Sequence, residues 1–395
     1  MGIIYNEKAK TFTLHTQNTT YQMQIDAYGF LLHLYYGRKT DGVMDYLLTY
    51  ADRGFSGNPQ DTGNDRTYSL DVLPQEFPCR LTGDFRSPVL DLVNADGSFG
   101  CDLRYQGYEI CDGKYNLKGL PAVYAAEEEA QTLIIYMKDQ VTGLQVELLY
   151  GVLPEYDVIT RSAKVINTEE DKIRLTKAQA ACIDFVHGEF DVISFYGRHA
   201  MERNMQRTSV GHGAFVIGSR RGTSSHQYNP MMILAEKETT EDAGTCYGMS
   251  FVYSGGFKAE VEKDQFGQTR MQMGLQEEQF SYPLKKGEEF VIPEVILTCS
   301  NQGLEKLSQN LQRCIRKNLC RGKYKEKVRP VLINSWEACY FDFTGEDIYH
   351  LAEQAKDLGI DMVVLDDGWF GSRNDDNSGL GDWKVNEEKL QGSLG

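Results

Sequence analysis

The chain has 395 residues, and its 57 acidic residues outnumber 41 basic ones, which gives a formal net charge of −16. This charge repels phosphate backbones and anionic lipids, and no Lys/Arg run reverses it locally, which argues against nucleic-acid and membrane partners. Hydrophobic residues make up 41% of the sequence, so the chain can bury large cores, and its length allows two or three domains.

The sequence carries no targeting signal that we recognise. Its first residues contain no apolar stretch of signal-peptide length, and no apolar run is long enough to span a membrane. The nine cysteines are odd in number, scattered along the chain and without a Cys-x-x-Cys pair. This pattern favours reduced thiols over a disulfide framework or a zinc site. We therefore expect a cytoplasmic protein.

From the N-terminus to about residue 300, apolar and polar side chains alternate in short runs, for example in Thr11–His15 and Tyr21–Ile25. Clusters of Gly, Asn and Asp, such as Ala95–Gly97, separate these runs and are typical of hairpin turns. Many short strands joined by hairpins predict an antiparallel arrangement. We predict a large β-supersandwich domain over residues 1–299.

The pattern then changes to helical spacing. The apolar positions that recur every three or four residues are Leu304, Leu307, Leu311, Cys314, Ile315 and Leu319. Ser300 or Asn301 is available as the N-cap of this helix. The spacing predicts a linker helix within residues 300–325.

A third pattern follows, with two short apolar runs at Val331–Asn334 and Met362–Leu365. Such runs are typical of parallel strands that are buried on both faces. Between them, Thr344 with Asp347 resembles a capping box, and Gly359 suits the end of a helix. Strand, helix and strand within 35 residues predict a βαβ unit.

A single βαβ unit cannot cover both faces of its own sheet. A (β/α)8 barrel, the TIM barrel, needs about 250 residues, whereas this sequence ends at residue 395. We therefore interpret residues 326–395 as the start of a barrel that stops early. An open α/β appendage is the alternative interpretation.

The candidate functional residues collect in the last 60 positions, which contain all three tryptophans. Trp336 and Trp369 follow the carboxyl ends of the two predicted parallel strands, where active sites of parallel α/β proteins form. Asp366 and Asp367 follow the second strand as neighbours, and at least one of their side chains must face the edge of the sheet where the parallel strands end. Carboxylates accept hydroxyl hydrogens and an indole covers the apolar face of a sugar, so the pattern indicates a sugar site. A solvated strand end or a helix cap is the alternative.

Several runs of residues resemble the α-galactosidases of glycoside hydrolase family 36. The runs near the C-terminus are Asn334–Ala338, Tyr340–Phe343, Leu365–Gly371, Arg373–Asp376 and Gly381–Trp383. The upstream runs are Ser69–Pro78, Thr82–Arg86 and Arg221–Gln227. They occur in the same order as in the family, and the match extends over almost the whole chain.

The resemblance implies a retaining exo-α-galactosidase that acts on melibiose, raffinose and related oligosaccharides without a metal or a cofactor. Asp366 and Asp367 would bind hydroxyl groups of the terminal galactose, including its axial 4-OH, and Trp336 would line the same pocket. Weaker candidates around the pocket are Trp369, Asp382 and Trp383.

The resemblance also implies a homotetramer. In family members the loop that corresponds to residues 52–78 reaches toward the site of a neighbouring subunit. Asp52, Arg53 and Arg66 are therefore further candidates for contact with the sugar.

One departure from the family concerns catalysis. The family places its nucleophile in a Lys-x-Asp-x-Asn run on a later barrel strand and its acid/base beyond that, and this sequence contains no such run. We expect both catalytic residues beyond residue 395, so the chain alone is predicted to be inactive. A non-catalytic carbohydrate-binding or assembly sandwich and a galactosyl-transferring relative of the family remain alternatives.

Overall fold

The structure is a computed structural model and describes residues 2–50, 52, 54, 55, 57–169, 171–278 and 280–394. The chain divides into two compact units, Met1–Cys320 and Arg321–Gly395.

Antiparallel strands dominate the first unit. In chain order they are β1 (Ile3–Asn6), β2 (Thr11–His15), β3 (Thr19–Ile25), β4 (Leu31–Arg38), β5 (Leu90–Val93), β6 (Leu103–Asp112), β7 (Gln131–Asp139), β8 (Gln145–Leu153), β9 (Val158–Ile166), β10 (Ile173–Phe185), β11 (Phe190–Arg198), β12 (Met201–Ser209), β13 (Gly213–Gly218), β14 (Tyr228–Glu236), β15 (Cys246–Phe251), β16 (Phe257–Lys263), β17 (Thr269–Leu275), β18 (Tyr282–Leu284) and β19 (Glu289–Ser300). Short 3-10 turns occur at Asp45–Leu47, Gln60–Thr62, Glu127–Glu129 and Pro154–Tyr156.

These strands form three sheets. Four strands pair in the order β1-β2-β3-β4, and nine pair in the order β12-β11-β14-β15-β19-β9-β8-β7-β6. A third sheet has the order β13-β16-β17-β10-β18, with β5 also paired to β10. Apolar side chains from all three sheets, such as Phe12, Met271 and Val165, pack into one buried cluster. The prediction of a mostly antiparallel β-sheet protein with few helices is therefore confirmed.

The first unit ends with helix α1 (Gly303–Cys314), which continues as a π-helical turn over Ile315–Leu319. Leu307, Leu311 and Cys314 are buried in a second apolar cluster of the sandwich, as their spacing predicts. The predicted cap is wrong, because β19 extends through Ser300 and the N-cap position is Gln302. The Ser300 hydroxyl accepts a hydrogen bond from the Gln302 amide, and the backbone turns into the helix at Gly303 with a φ of 78°.

The second unit contains β20 (Leu332–Asn334), α2 (Trp336–Cys339), α3 (Gly345–Asp357), β21 (Met362–Val364) and α4 (Glu387–Leu390). Strands β20 and β21 pair in parallel. The predicted capping box is present, since the Thr344 hydroxyl and the Asp347 carboxylate bond to each other's backbone amides at the start of α3. Gly359 follows the helix with a φ of 76°, a left-handed conformation that suits glycine.

The strand–helix–strand order thus agrees with the sequence, although both strands are shorter than the apolar runs suggest. The expected burial on both faces is not found, because every residue of β20 and β21 is exposed or half-buried. Within the described residues of this unit, β20 and β21 are the only regular strands. A (β/α)8 barrel therefore stays a prediction.

Candidate functional site

The carboxyl ends of β20 and β21 lie side by side, because Asn334 is in register with Val364. Two residues beyond Val364, the Asp366 carboxylate accepts a hydrogen bond of 2.7 Å from the Asn334 side-chain amide. The backbone amide of Asp366 donates to the hydroxyl of buried Ser335 at 3.1 Å. The two strand ends therefore hold Asp366 in place, half-buried at the edge of the sheet.

Asp367 is held by Arg373. The Arg373 Nε donates to Asp367 Oδ1 at 2.7 Å, and Nη2 donates to Oδ2 at 2.7 Å. Arg373 is buried, and its remaining Nη1 donates to the carbonyl of Ser378. The hydrogen bonds from Arg373 lower the pKa of Asp367 below its usual range. Asp367 is therefore an ionised carboxylate in a fixed orientation, with lone pairs left to accept further hydrogen bonds.

Trp336 begins α2 directly after the first strand end, and its amide donates to the Asn334 side chain at 2.7 Å. Its indole packs edge-to-face against Tyr340 and Phe341, with ring centroids 5.3 and 5.0 Å away. The Arg373 guanidinium lies 5.6 Å from the Phe341 ring centroid. One continuous chain of contacts thus joins Trp336 to both carboxylates, and the sequence-predicted trio forms one cluster.

The weaker candidates form an aromatic group around Phe370. Trp369 and Trp383 stack with ring centroids 6.4 Å apart and an interplanar angle of 27°, and both contact Phe370. Trp383 and Asp382 are exposed, whereas Trp369 is half-buried. Two backbone hydrogen bonds join this part of the chain, one from the Gly371 amide to the Lys384 carbonyl and one from the Asn386 amide to the Trp369 carbonyl. A sugar contact by Trp369, Asp382 or Trp383 stays a prediction.

The candidates in the first unit lie on its surface. Arg66 Nη2 is 3.1 Å from Asp52 Oδ1, and both side chains are more than half exposed. The Asp52 carboxylate also accepts from the amide of Gly54 at 2.7 Å. Arg53 lies outside the described residues. A role for this segment at a neighbouring subunit's site stays a prediction.

Sequence reasoning did not single out Arg373 as a site residue. The sequence signal for Arg373 was its position six residues after Asp367, within the run Arg373–Asp376. Phe341 likewise stands out in the sequence only as part of the run Tyr340–Phe343, although its ring lies between Trp336 and Arg373.

Among the described residues, no group of three or more His, Cys, Asp or Glu side chains is arranged to hold a metal ion. In the same part of the chain, every helix is too short or too polar to cross a membrane.

Comparisons with known proteins agree with the sequence resemblance. Residues 29–285 match the glycosyl hydrolase family 36 N-terminal domain, and residues 289–395 match melibiase. The bifunctional alpha-galactosidase/sucrose kinase AgaSK of Mediterraneibacter gnavus is 64% identical over 394 residues, which are 100% of this chain and 42% of that protein. Alpha-galactosidase Mel36A of Lactobacillus acidophilus is 44% identical over 395 residues, 100% of this chain and 54% of that protein.

Solved structures show the same similarity. The galactosidase domain of AgaSK superposes with a TM-score of 0.95 over 99% of this chain and 55% of that one. A GH36 alpha-galactosidase AgaA variant from Geobacillus stearothermophilus, in complex with raffinose, has a TM-score of 0.93 at 43% identity, over 98% of this chain and 54% of that one. The chain spans about half the length of the curated relatives it matches. The chain belongs to glycosyl hydrolase family 36.

Proposed function

We propose that this chain is the sandwich and the start of the catalytic barrel of a retaining α-galactosidase. The substrates would be melibiose- and raffinose-type oligosaccharides, from which the enzyme removes the terminal α-D-galactose. Family membership supports this proposal, as does the AgaA relative solved in complex with raffinose. We propose residues 1–299 as the supersandwich, 300–325 as the linker helix and 326–395 as the beginning of a (β/α)8 barrel.

Asp366, Asp367 and Trp336 would bind the galactose. The observation that carries this role is the pair of oriented carboxylates that follow β21, joined through Arg373 and Phe341 to an indole. Each carboxylate keeps lone pairs for sugar hydroxyl groups, and the indole offers a flat apolar surface for the sugar ring. A hydrogen bond to a charged group contributes about 1.5–3 kcal/mol, so loss of the 4-OH contact would discriminate against glucose.

The two aspartates would bind the galactose and would not take part in cleaving the glycosidic bond. A retaining glycosidase needs a nucleophile and an acid/base about 5–5.5 Å apart on either side of the scissile bond. Asp366 and Asp367 leave the same strand as neighbours, and both are already bonded to residues of their own unit. We therefore propose that the nucleophile and the acid/base belong to later barrel strands, as the family resemblance implies.

Sugar binding tests this assignment. All three tryptophans lie in the second unit, so intrinsic tryptophan fluorescence reports galactose binding there directly. Asp366→Asn should weaken galactose binding about 10- to 100-fold, because it removes a hydrogen bond to a charged group. Asp361→Asn is the matched control, since Asp361 is an exposed aspartate at the other end of β21. Equal affinities of wild type and Asp366→Asn for galactose would contradict the assignment.

The assembly and location of the protein are also part of the proposal. A homotetramer is supported by the family resemblance and by the exposed Asp52–Arg66 pair, which is available to a neighbouring subunit. Sedimentation of the purified protein tests the oligomeric state. A cytoplasmic location is supported by the nine cysteines, all of which are free thiols in the structure.

A further inference from the structure

The six-stranded sheet of the sandwich has one apolar face and one polar face. On β16 and β17, the buried core residues include Val261, Met271 and Met273. Because side chains alternate along a strand, their neighbours lie on the opposite face. The polar residues of this face on β10, β16 and β17 include Lys177, Gln179, Asp184, Lys258, Glu260, Glu262, Arg270 and Gln272.

This polar face is largely shielded from solvent. Gln179 and Gln272 are each 1% exposed. Each side-chain amide donates a hydrogen bond through its nitrogen, to Leu275 and Ser87 respectively. Their side-chain oxygens find no hydrogen-bond donor in the described part of the chain. Buried polar atoms are almost always bonded, so these two oxygens are exceptions on this face, but neither glutamine lines the cavity beside it.

A cavity of about 540 Å³ is lined by two residues of this face, Lys177 and Glu262, and by the segment Arg86–Pro88. Its charged lining residues are Arg80, Arg86, Lys177, Asp91, Glu262 and Glu277. The cavity thus contains three cations and three carboxylates, and their formal charges cancel.

The charged groups of the cavity are ordered by contacts with one another. Lys177 Nζ lies 2.8 Å from the Ser87 hydroxyl and 3.4 Å from Glu277 Oε2. Arg80 forms a two-pronged pair with Asp91 at 2.5 Å. Such a site offers donors and acceptors side by side without net charge. It therefore suits a neutral molecule with many hydroxyl groups better than a phosphate, because the site has no net positive charge to offset that of the anion.

An aromatic ring completes the lining. Phe85 contributes to the cavity, and its side chain is 72% exposed, which is unusual for a phenylalanine. A flat apolar ring next to paired charges matches the two kinds of surface that a sugar presents, its C–H face and its hydroxyl groups. We propose that this cavity binds a neutral saccharide, as a second sugar site that is built entirely within the sandwich.

Saturation-transfer NMR with melibiose, maltose and glucose as probes tests this proposal. The experiment uses the 395-residue chain carrying Asp366→Asn, so that the site in the second unit contributes little. We expect at least one of the three sugars to bind. Phe85→Ala should weaken that binding about 2- to 10-fold through the lost ring contact, and Lys177→Met should weaken it about 10- to 100-fold through the lost charged donor.

Matched controls separate this site from general surface effects. Lys164→Met removes another lysine that pairs with a glutamate across a sheet, Glu147 at 3.0 Å. Phe99→Ala removes another exposed phenylalanine. Neither control should change the binding of the sugar. Phe85 is exposed, so its replacement leaves the fold intact even where Lys177→Met disturbs it.

Three results would overturn the proposal. The first is that none of the three sugars binds. The second is that binding is unchanged in Phe85→Ala and in Lys177→Met. The third is that inorganic phosphate competes with the sugar and itself binds in a Lys177-dependent manner, which would make the cavity an anion site.

Discussion

Arg373 determines the orientation and the charge of Asp367. It donates to both carboxylate oxygens, and its own burial and its bond to the Ser378 carbonyl fix the guanidinium. A carboxylate that is clamped in this way presents its remaining lone pairs in one direction. An acceptor held in this way loses little conformational entropy when it binds a hydroxyl group.

We expect Arg373→Met to raise the pKa of Asp367. The hydrogen bonds from Arg373 are the largest cause of the lowered pKa, so their removal returns the carboxyl toward its usual range. In the wild type, the stabilisation from this pair is present above the usual pKa of an aspartate and is lost as the pH falls through the lowered pKa. Carbon-detected NMR titration of the Asp367 carboxyl group measures the change.

The matched control for this titration is Arg329→Met. Arg329 is an exposed arginine of the same unit that donates to backbone carbonyls. It should leave the pKa of Asp367 unchanged. If Asp367 titrated identically in the wild type and in Arg373→Met, the hydrogen bonds from Arg373 would have no effect on the pKa of Asp367.

The sequence predicted part of this cluster and missed another part, for a physical reason. Asp366, Asp367 and Trp336 were identifiable because each directly follows an apolar strand. The pairing of Asp367 with Arg373 depends on the turn between them, where Gly368 and Gly371 adopt φ values of 90° and 56°. Spacing alone does not specify such a turn.

At the scale of elements, the segment Ser69–Pro78 places the carboxylate of Glu76 in the centre of the sandwich. Glu76 is fully buried, and its Oε1 lies 2.6 Å from Arg161 Nη1 of β9. The same oxygen accepts from the hydroxyls of Tyr21 on β3 at 2.6 Å and Tyr150 on β8 at 2.8 Å. One carboxylate thus ties the four-stranded sheet to the nine-stranded sheet. A run that carries part of the family resemblance is therefore structural.

We expect Glu76→Gln to destabilise the first unit by about 3–5 kcal/mol, because it leaves the buried Arg161 without its counter-charge. Burial by itself would raise the pKa of Glu76, but Arg161 and the surrounding hydrogen bonds outweigh burial and lower it. Of the 23 tyrosines, 20 lie in the first unit, and no tryptophan does. Urea unfolding followed by tyrosine fluorescence therefore measures this unit, while tryptophan fluorescence follows the second.

Glu147→Gln is the control for this experiment. Glu147 pairs with Lys164 at 3.0 Å on a partly exposed sheet surface, where such a pair contributes at most about 1 kcal/mol. If Glu76→Gln and Glu147→Gln shifted the urea midpoint of the tyrosine transition equally, the buried carboxylate would stabilise this unit no more than a surface ion pair does.

The elements themselves were largely predictable, whereas their arrangement was not. Alternation identified strands such as β2 and β3, and helical spacing identified the buried face of α1. The pairing of β10 with β17 and of β9 with β19 joins residues that are about 85 to 140 positions apart in the chain. Period-two patterns do not encode these partners. The misplaced cap at Ser300 has the same origin, because pairing with β15 extends β19 to that residue.

At the scale of the whole molecule, the two units differ in architecture. The first unit is a β-sheet body with a large buried core, and the second presents oriented carboxylates at the ends of parallel strands. Binding and bond cleavage have different requirements. One carboxylate in a fixed place is enough to hold a hydroxyl group, but retaining hydrolysis needs two carboxyl groups on opposite sides of the glycosidic bond.

We therefore predict that the 395-residue chain binds galactose without hydrolysing α-galactosides. Its sequence contains no Lys-x-Asp-x-Asn run, and Asp366 and Asp367 are each bonded to residues that orient them on one strand end. Release of nitrophenol from p-nitrophenyl α-galactoside by the purified chain should equal that of buffer alone. Release above buffer that Asp366→Asn abolishes and Asp361→Asn preserves would contradict this prediction, because it would make Asp366 part of a working catalytic pair.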